Sequence, residues 1–218
     1  MHQYVACGHI QTLTSHTSRT SIINNLLSHL LACHLGQVSV SDEPDYTSTE
    51  LENVQIQSTV IFSHATATFH YTAYDLTQDS DSIKCNERNS QCNVMLRACD
   101  DARHLFWYAH VFGIYHANCF FGPNSSQPNR VEFLFVQWFG CDPDWQEGPR
   151  TCRLDQIGWV SEDDLSGAFG FLDLARVIRA CHLIPAFLYG KTLRLLHPSQ
   201  AQDFSTGNWV NYHVSRYV

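Results

Sequence analysis

Charge is scarce in this chain, and basic charge is scarcer. Charged residues make up 16% of the 218 positions, with 13 Lys and Arg against 21 Asp and Glu. The net charge of −8 is uneven, because residues 1–100 hold ten acids and only four Lys or Arg. A protein that grips nucleic acid needs clustered cations to displace counterions from phosphates. The densest set, Arg150, Arg153, Arg176, Arg179, Lys191 and Arg194, is interleaved with Asp155, Glu162, Asp163, Asp164 and Asp173. Such a mixture makes a solvated face of near-zero charge. Direct nucleic-acid binding is therefore disfavoured.

Other absences narrow the field. The start, MHQYVACGHI, has neither the basic nor the apolar region of a secretory signal. The longest apolar run, IINNLLSHLLACHLGQV at 22–38, is broken by Asn24, Asn25, His29 and His34. It is too polar to span a bilayer, so no membrane partner is expected. Without a signal, the nine cysteines read as reduced thiols of an intracellular compartment. The sequon Asn124-Ser125-Ser126 then has no route to glycosylation. Neither a GxxxxGK loop nor GxGxxG is present to cradle a phosphate, and no GxSxG elbow presents a serine. Cys181 and His182 are adjacent, which on a strand sends them to opposite faces. No catalytic residue and no cofactor is expected.

What is present is aromatic and β-forming. Hydrophobic residues reach 44% and aromatics 12%, which favours a globular chain. A helix is expected from Ser21 to Leu35, with Ser21 as N-cap and Gly36 as its stop. Ile22, Ile23, Leu26, Leu27, Leu30 and Leu31 form its apolar stripe. Residues 39–58 are acidic and polar and read as a linker. From Thr59 the texture turns to β. STVIFSHATATFHYTAYDL reads as a strand pair, QDSDSIKCNERNSQ as a loop and NVMLRA as a short strand. HLFWYAHVFGIYHANCFF (104–121) and VEFLFVQWFG (131–140) make a long antiparallel hairpin, with Gly113 marking a bulge or bend. In the first strand Trp107, Ala109, Val111, Tyr115, Ala117 and Cys119 fall on one face by simple alternation. LDQIGWV gives a third strand, SEDDLSGAFG a loop, Asp173 a cap for one helical turn, and CHLIPAF a closing strand.

VEFLFVQWFG poses the sharpest structural question, because both of its faces are apolar. Val131, Phe133, Phe135 and Phe139 point one way and Leu134, Val136 and Trp138 the other. That pattern fits a strongly curved sheet covered on both sides. The expected fold is mainly β (α+β): a small, partly open SH3/BAH-like antiparallel β-barrel with an N-terminal helix. Three regions follow: 1–58 (helix and linker), 59–190 (barrel) and 191–218 (tail).

Few residue sets suggest chemistry. Cys85, Cys92 and Cys99 are spaced more widely than structural zinc ligands. Cys7, His9, His29, Cys33 and His34 form the other combination, yet buried or surface thiols and histidines account for both sets, and no metal is expected. The acids at Asp100-Asp101, Asp142 with Asp144, and Glu162-Asp163-Asp164 lie in turns and read as solvated. The aromatic set is more telling. Trp107, Tyr108, Trp138 and Trp159 fall on the three best strands, and at a barrel mouth they could cage a cationic side chain. An acidic, aromatic-lined barrel suits a basic peptide better than a phosphate backbone.

Taken together, HATATFHYTAYDLTQDSDSI, HLFWYAHVFGIYHA, VEFLFVQWFGCDPDW, RLDQIGWVSEDD, AFGFLD, ARVIRACHLIPAF and NWVNYHVSRYV resemble the C-terminal part of proteins encoded by Plavaka-type fungal DNA transposons. The resemblance covers about residues 59–218, with the motifs in the same order. It implies a transposon-derived fungal protein of the nucleus. The chain reads as a non-catalytic protein-binding domain, with an accessory part of a transposase that lacks its catalytic core, or a decayed fragment without function, as the alternatives. The acidic core of such transposases lies upstream of this region, and nothing in residues 1–58 resembles it, so no catalytic residue is implied. His110, Gln137 and Cys141 stand where the family pattern has arginines. The chain ends where that pattern continues, as a truncated copy would. The order of elements is also similar to that of bromo-adjacent-homology and other SH3-like chromatin modules, at the level of fold alone.

Overall fold

A computed structural model describes residues 3–4, 19–37, 46–72, 76–85, 92–98, 104–141, 145, 153–160, 168–192 and 207–215. Its long helix, α1 (Arg19–Leu35), turns Ile22, Leu26 and Leu30 into the core. These positions repeat every four residues, so one narrow stripe is buried. Full burial of Leu30 is worth about 2 kcal/mol. The helix starts two residues before the expected cap, which leaves Ser21 inside it. Its end is as the sequence indicates. Gly36 has φ +67°, the Gln37 N–H donates to the Ala32 carbonyl, and the Gly36 N–H donates to the Cys33 carbonyl. This pair of bonds satisfies carbonyls that a helix end otherwise leaves open.

Several segments read as irregular are ordered elements. The supposed linker contains α2 (Ser48–Glu52), started by a capping box in which Thr47 and Glu50 bond reciprocally. It also contains the start of β2 (Val54–His64). A boundary at residue 59 would cut that strand, where Ser58 and Thr59 take φ of +55° at an irregularity in its pairing. β1 (Gln3–Tyr4) pairs with β2. β2 does not pair with β3 (Thr66–Thr72), which instead pairs with β4 (Gln78–Lys84), a strand inside the expected loop. β4 was obscured by its composition: QDSDSIK buries only Ile83 fully, with Asp81 turned the same way and the other residues of this ribbon strand exposed.

β5 (Asn93–Arg97), β6 (Phe106–Phe121), β7 (Asn129–Cys141) and β8 (Gln156–Trp159) follow as the sequence suggests. β9 (Phe169–Asp173) occupies part of an expected loop. The Asp173 side chain then accepts from the Ala175 N–H and starts a single 3-10 turn, Leu174–Arg176. β10 (Val177–Ala180) and β11 (His182–Pro185) run on, followed by β12 (Lys191–Thr192), β13 (Asn208–Trp209) and β14 (Asn211–Ser215). Residues 191–218 are therefore not only a tail, since β14 pairs with both β8 and β11.

These pairings make a nearly closed antiparallel barrel. Around it run β5, β6, β7, β8, β14 and β11. β10 pairs with β5 and β11 with β14, and the Cys181 N–H between them donates to the Asn93 carbonyl. One continuous stretch of chain thus joins the two ends of the sheet. The interior is filled by Met95, Tyr108, Phe139, Ile157, Cys181 and Val214, one contribution from each wall.

The hairpin β6–β7 is longer than the barrel needs, and its excess explains the two-sided strand. At one end Phe133 and Phe135 pack beneath α1 with Tyr115, Ala117 and Phe171. On the opposite face Leu134, Val136 and Trp138 are covered by the β3–β4 ribbon through Ala67, Phe69 and Ile83. Phe139 enters the barrel.

A bulge divides the hairpin. Val111 pairs with Val136 and Gly113 with Phe135, which leaves Phe112 as an extra residue. An extra residue exchanges the faces of everything beyond it. Ile114 consequently joins Trp107, Ala109 and Val111 under the ribbon, while Tyr115, Ala117 and Cys119 move to the helix side. Simple alternation through Gly113 misassigns that half. A Cβ at Gly113 would run into the buried Tyr115 ring, which would have to shift to admit it.

Candidate functional site

The four aromatic candidates do not converge. Trp107 and Trp138 meet edge to face at 6.1 Å on the ribbon side of the sheet. Tyr108 is fully buried inside the barrel, and Trp159 packs there on Phe139 with centroids 4.3 Å apart. Neighbouring residues on a strand face opposite ways, so Trp107 and Tyr108 cannot share a cage. The Tyr108 hydroxyl instead donates to the buried Asp155 carboxylate. Cations do meet aromatic rings elsewhere. Arg153 lies over Trp145, Lys191 over Trp209, and Arg179 over Tyr71 at 4.3 Å.

The last of these contacts is structural. Arg179 on β10 donates to Asp81 on β4 at 3.1 Å and to the Tyr71 hydroxyl at 3.0 Å. The Ala180 N–H donates to the same carboxylate. The pair is mostly buried and ties the ribbon to the barrel wall. Its partners lie almost a hundred residues apart, with no local spacing to reveal them. Of the other basic residues, Arg150 and Arg194 lie outside the described residues. Arg130 is engaged by Glu132 at 2.6 Å.

The histidines and cysteines divide in the same manner. Cys7, His9 and Cys99, and the acids at 100–101, 142–144 and 162–164, lie outside the described residues. Among the described residues, no three His, Cys, Asp or Glu are grouped as a metal site would need. His29 and Cys33 are in contact at 3.5 Å on α1. Burial lowers the His29 pKa to about 4 and, with Asp173 adding to it, raises that of Cys33 to about 12. That pair stays a neutral thiol and a neutral ring, the opposite of an activated nucleophile. Cys181 points inward and His182 outward, as adjacency on a strand requires. His64 and His116 share a hydrogen bond of 2.6 Å beneath Phe62. One ring must accept, so at least one of them is neutral.

A cleft of about 800 Å³ opens where α1, the ribbon and the hairpin meet. Cys33 and His34 come from the end of α1, Thr68, Phe69 and His70 from β3, and Asn129 to Glu132 from the start of β7. The turn after β9 supplies Asp173, Leu174 and Ala175. His34 is fixed by stacking on Phe121 at 3.9 Å.

The backbone is the important feature of this cleft. β7 pairs with β6 along residues 129–139, whereas on its other edge β9 pairs only with residues 133–137. Capping by Asp173 turns the chain away at that point. Among the described residues, no strand pairs with that edge of residues 129–132. An unpaired edge offers a row of amides and carbonyls to an incoming strand. The sequence carried no signal for this site, because β9 itself was not legible there. No family model matches the chain, and no curated protein and no solved structure matches it either.

Proposed function

We propose that this chain is a non-catalytic protein-binding module that takes an extended, basic segment of a partner as an added strand. The observation that carries the reading is the open edge of β7 at residues 129–132, lying along the cleft. Backbone pairing supplies affinity in strand addition, and flanking pockets supply specificity. Asp173 lines the cleft beside the Arg130–Glu132 pair, and the net charge of −8 favours encounter with a basic partner. Recognition rests on the backbone edge, since Trp107, Tyr108, Trp138 and Trp159 form no common cage. With the resemblance to Plavaka-type proteins, the module belongs to a transposon-derived nuclear protein. Its partner is then a chromatin peptide or the remainder of a transposase.

The test uses a displayed library of linear basic peptides, with the best binder measured by calorimetry. Ala175 is exposed and lines the cleft, so Ala175→Trp fills the site without disturbing the core. Binding is expected to weaken by about tenfold or more, or about 1.4 kcal/mol. Trp107→Ala is expected to leave it unchanged. Binding that survives Ala175→Trp in a folded protein, or is lost in a folded Trp107→Ala protein, overturns the assignment to the cleft.

A further inference from the structure

We propose that Cys85 and Cys92 are a reversible dithiol–disulfide pair, whose oxidation clamps the β3–β4 ribbon to the barrel. Cys85 directly follows β4 and Cys92 directly precedes β5. One residue of β6 holds both. The Val111 N–H donates to the Cys92 carbonyl at 2.7 Å, and the Val111 carbonyl accepts from the Cys85 thiol at 3.7 Å. The Cys92 thiol donates back across the gap to the Lys84 carbonyl at 2.7 Å. The Cys92 sulfur thus lies against the carbonyl of the residue that precedes Cys85. Both sit in the apolar layer beneath the ribbon, Cys92 as a buried member and Cys85 packed against it. The Cys85 N–H also donates to the Ala65 carbonyl at the base of the ribbon. A bond between these sulfurs would therefore join the foot of the ribbon to the first strand of the barrel.

The pair is chemically asymmetric. The neighbouring Cys85 thiol lowers the pKa of Cys92, and the same proximity, with burial, raises that of Cys85. Cys92 is the sulfur that carries the charge when the pair loses its first proton. With hydrogen peroxide as oxidant, the Cys92 thiolate attacks one peroxide oxygen. The O–O bond breaks, and the hydroxide released takes up a proton to become water. Cys92 is left as a sulfenic acid. The Cys85 sulfur then attacks the Cys92 sulfur. The S–S bond forms as the S–O bond breaks, and the departing hydroxide leaves as a second water with the Cys85 proton. Two thiols and one peroxide thus give one disulfide and two waters. A small-molecule dithiol reverses the reaction by exchange.

Trypsin separates the two residues, because it cuts after Lys84, Arg88 and Arg97. The folded chain is treated with hydrogen peroxide, free thiols are alkylated, and the digest is weighed. Peptides 85–88 and 89–97 are expected as one joined species, two hydrogens lighter than their sum and released by dithiothreitol. In Cys85→Ser the joined species disappears, and dimedone added as the oxidised protein is unfolded traps Cys92 as the sulfenic acid. Oxidation is also expected to slow amide exchange in residues 66–72 and 78–84 by about tenfold. Recovery of both peptides separately alkylated, under conditions that oxidise the other thiols, overturns the pair. A joined species with unchanged exchange in the ribbon overturns the clamp.

Discussion

The two halves of the β6–β7 hairpin solve one problem in different ways. Before the bulge, Tyr108 and Phe139 are buried because the sheet curls and closes upon itself. Beyond it, Tyr115 and Phe133 face the same side, yet here a helix covers them with Ile22, Leu26 and Leu30. The closed half can also hold polar groups. Asp155 accepts from Tyr108, and His110 bonds Asn93 at 2.9 Å. Among the described residues, the core beneath α1 is apolar except for His29, which lies between Phe133 and Phe171. Closure brings backbone and side chains from many strands together and so offers partners to buried polar atoms. A single covering helix offers fewer. The open edge at residues 129–132 belongs to the helix-covered half, where nothing forces the sheet to close.

The boundary between the halves is the point most easily broken. Gly113→Ala puts a methyl group where the Tyr115 ring already stands. Tyr115 is itself buried under α1, so the ring cannot swing aside without repacking. A loss of about 3 kcal/mol is expected, at the upper end of overpacking costs. Urea unfolding followed by tryptophan fluorescence measures it. A loss below about 1 kcal/mol would mean that the bulge does not pin the exchange of faces.

That bulge also marks the limit of what the residues reveal. Gly113 as a bulge, Gly36 as a helix stop and Asp173 as a cap were legible because each acts within a few residues of itself. The direction of faces beyond Phe112 was not, since it depends on pairing with Phe135. β4 and β9 were hidden because one is a polar ribbon strand and the other a short insertion against β7. The barrel was legible in outline from its aromatic strands, but the closing role of β14 was not. Four aromatics on three strands suggested a cage, whereas alternation and the intervening sheet keep them apart. The cleft depends on where β9 stops, and no spacing in the chain encodes that.

The closed half buries His110 and the helix-covered half buries His29, with His116 on the opposite face of that half, which allows their acid sensitivities to be compared. Burial lowers the pKa of His29 and of His110 from 6.5 to about 4. Between those values the unfolded chain binds protons that the folded chain does not. Stability therefore rises with pH through this window and is lost as pH falls through it. Going from pH 7 to pH 5 is expected to cost about 2 kcal/mol for each ring. His29→Leu and His110→Phe should each remove its own ring's share of that cost, whatever they do to stability at pH 7, while His116, whose pKa burial also lowers, adds to the slope in the same direction. Unfolding curves at both pH values are the measurement. If both variants keep the full slope, the rings are not held neutral by burial.

The smallest effect has the opposite sign and tests the claim that closure provides for polar groups. Gln137 is fully buried on β7, directly across from His110. Among the described residues, neither its amide nitrogen nor its amide oxygen has a hydrogen-bond partner. An amide taken from water without compensation costs about 1–3 kcal/mol. Methionine has nearly the same volume and no such demand, so Gln137→Met is expected to stabilise the fold by about 1 kcal/mol after its looser packing is counted. Thermal and urea unfolding at pH 7 should both move upward. A destabilisation would mean that the amide is satisfied in solution, by water within the barrel. The closed half would then be better provided with partners than its protein atoms alone suggest.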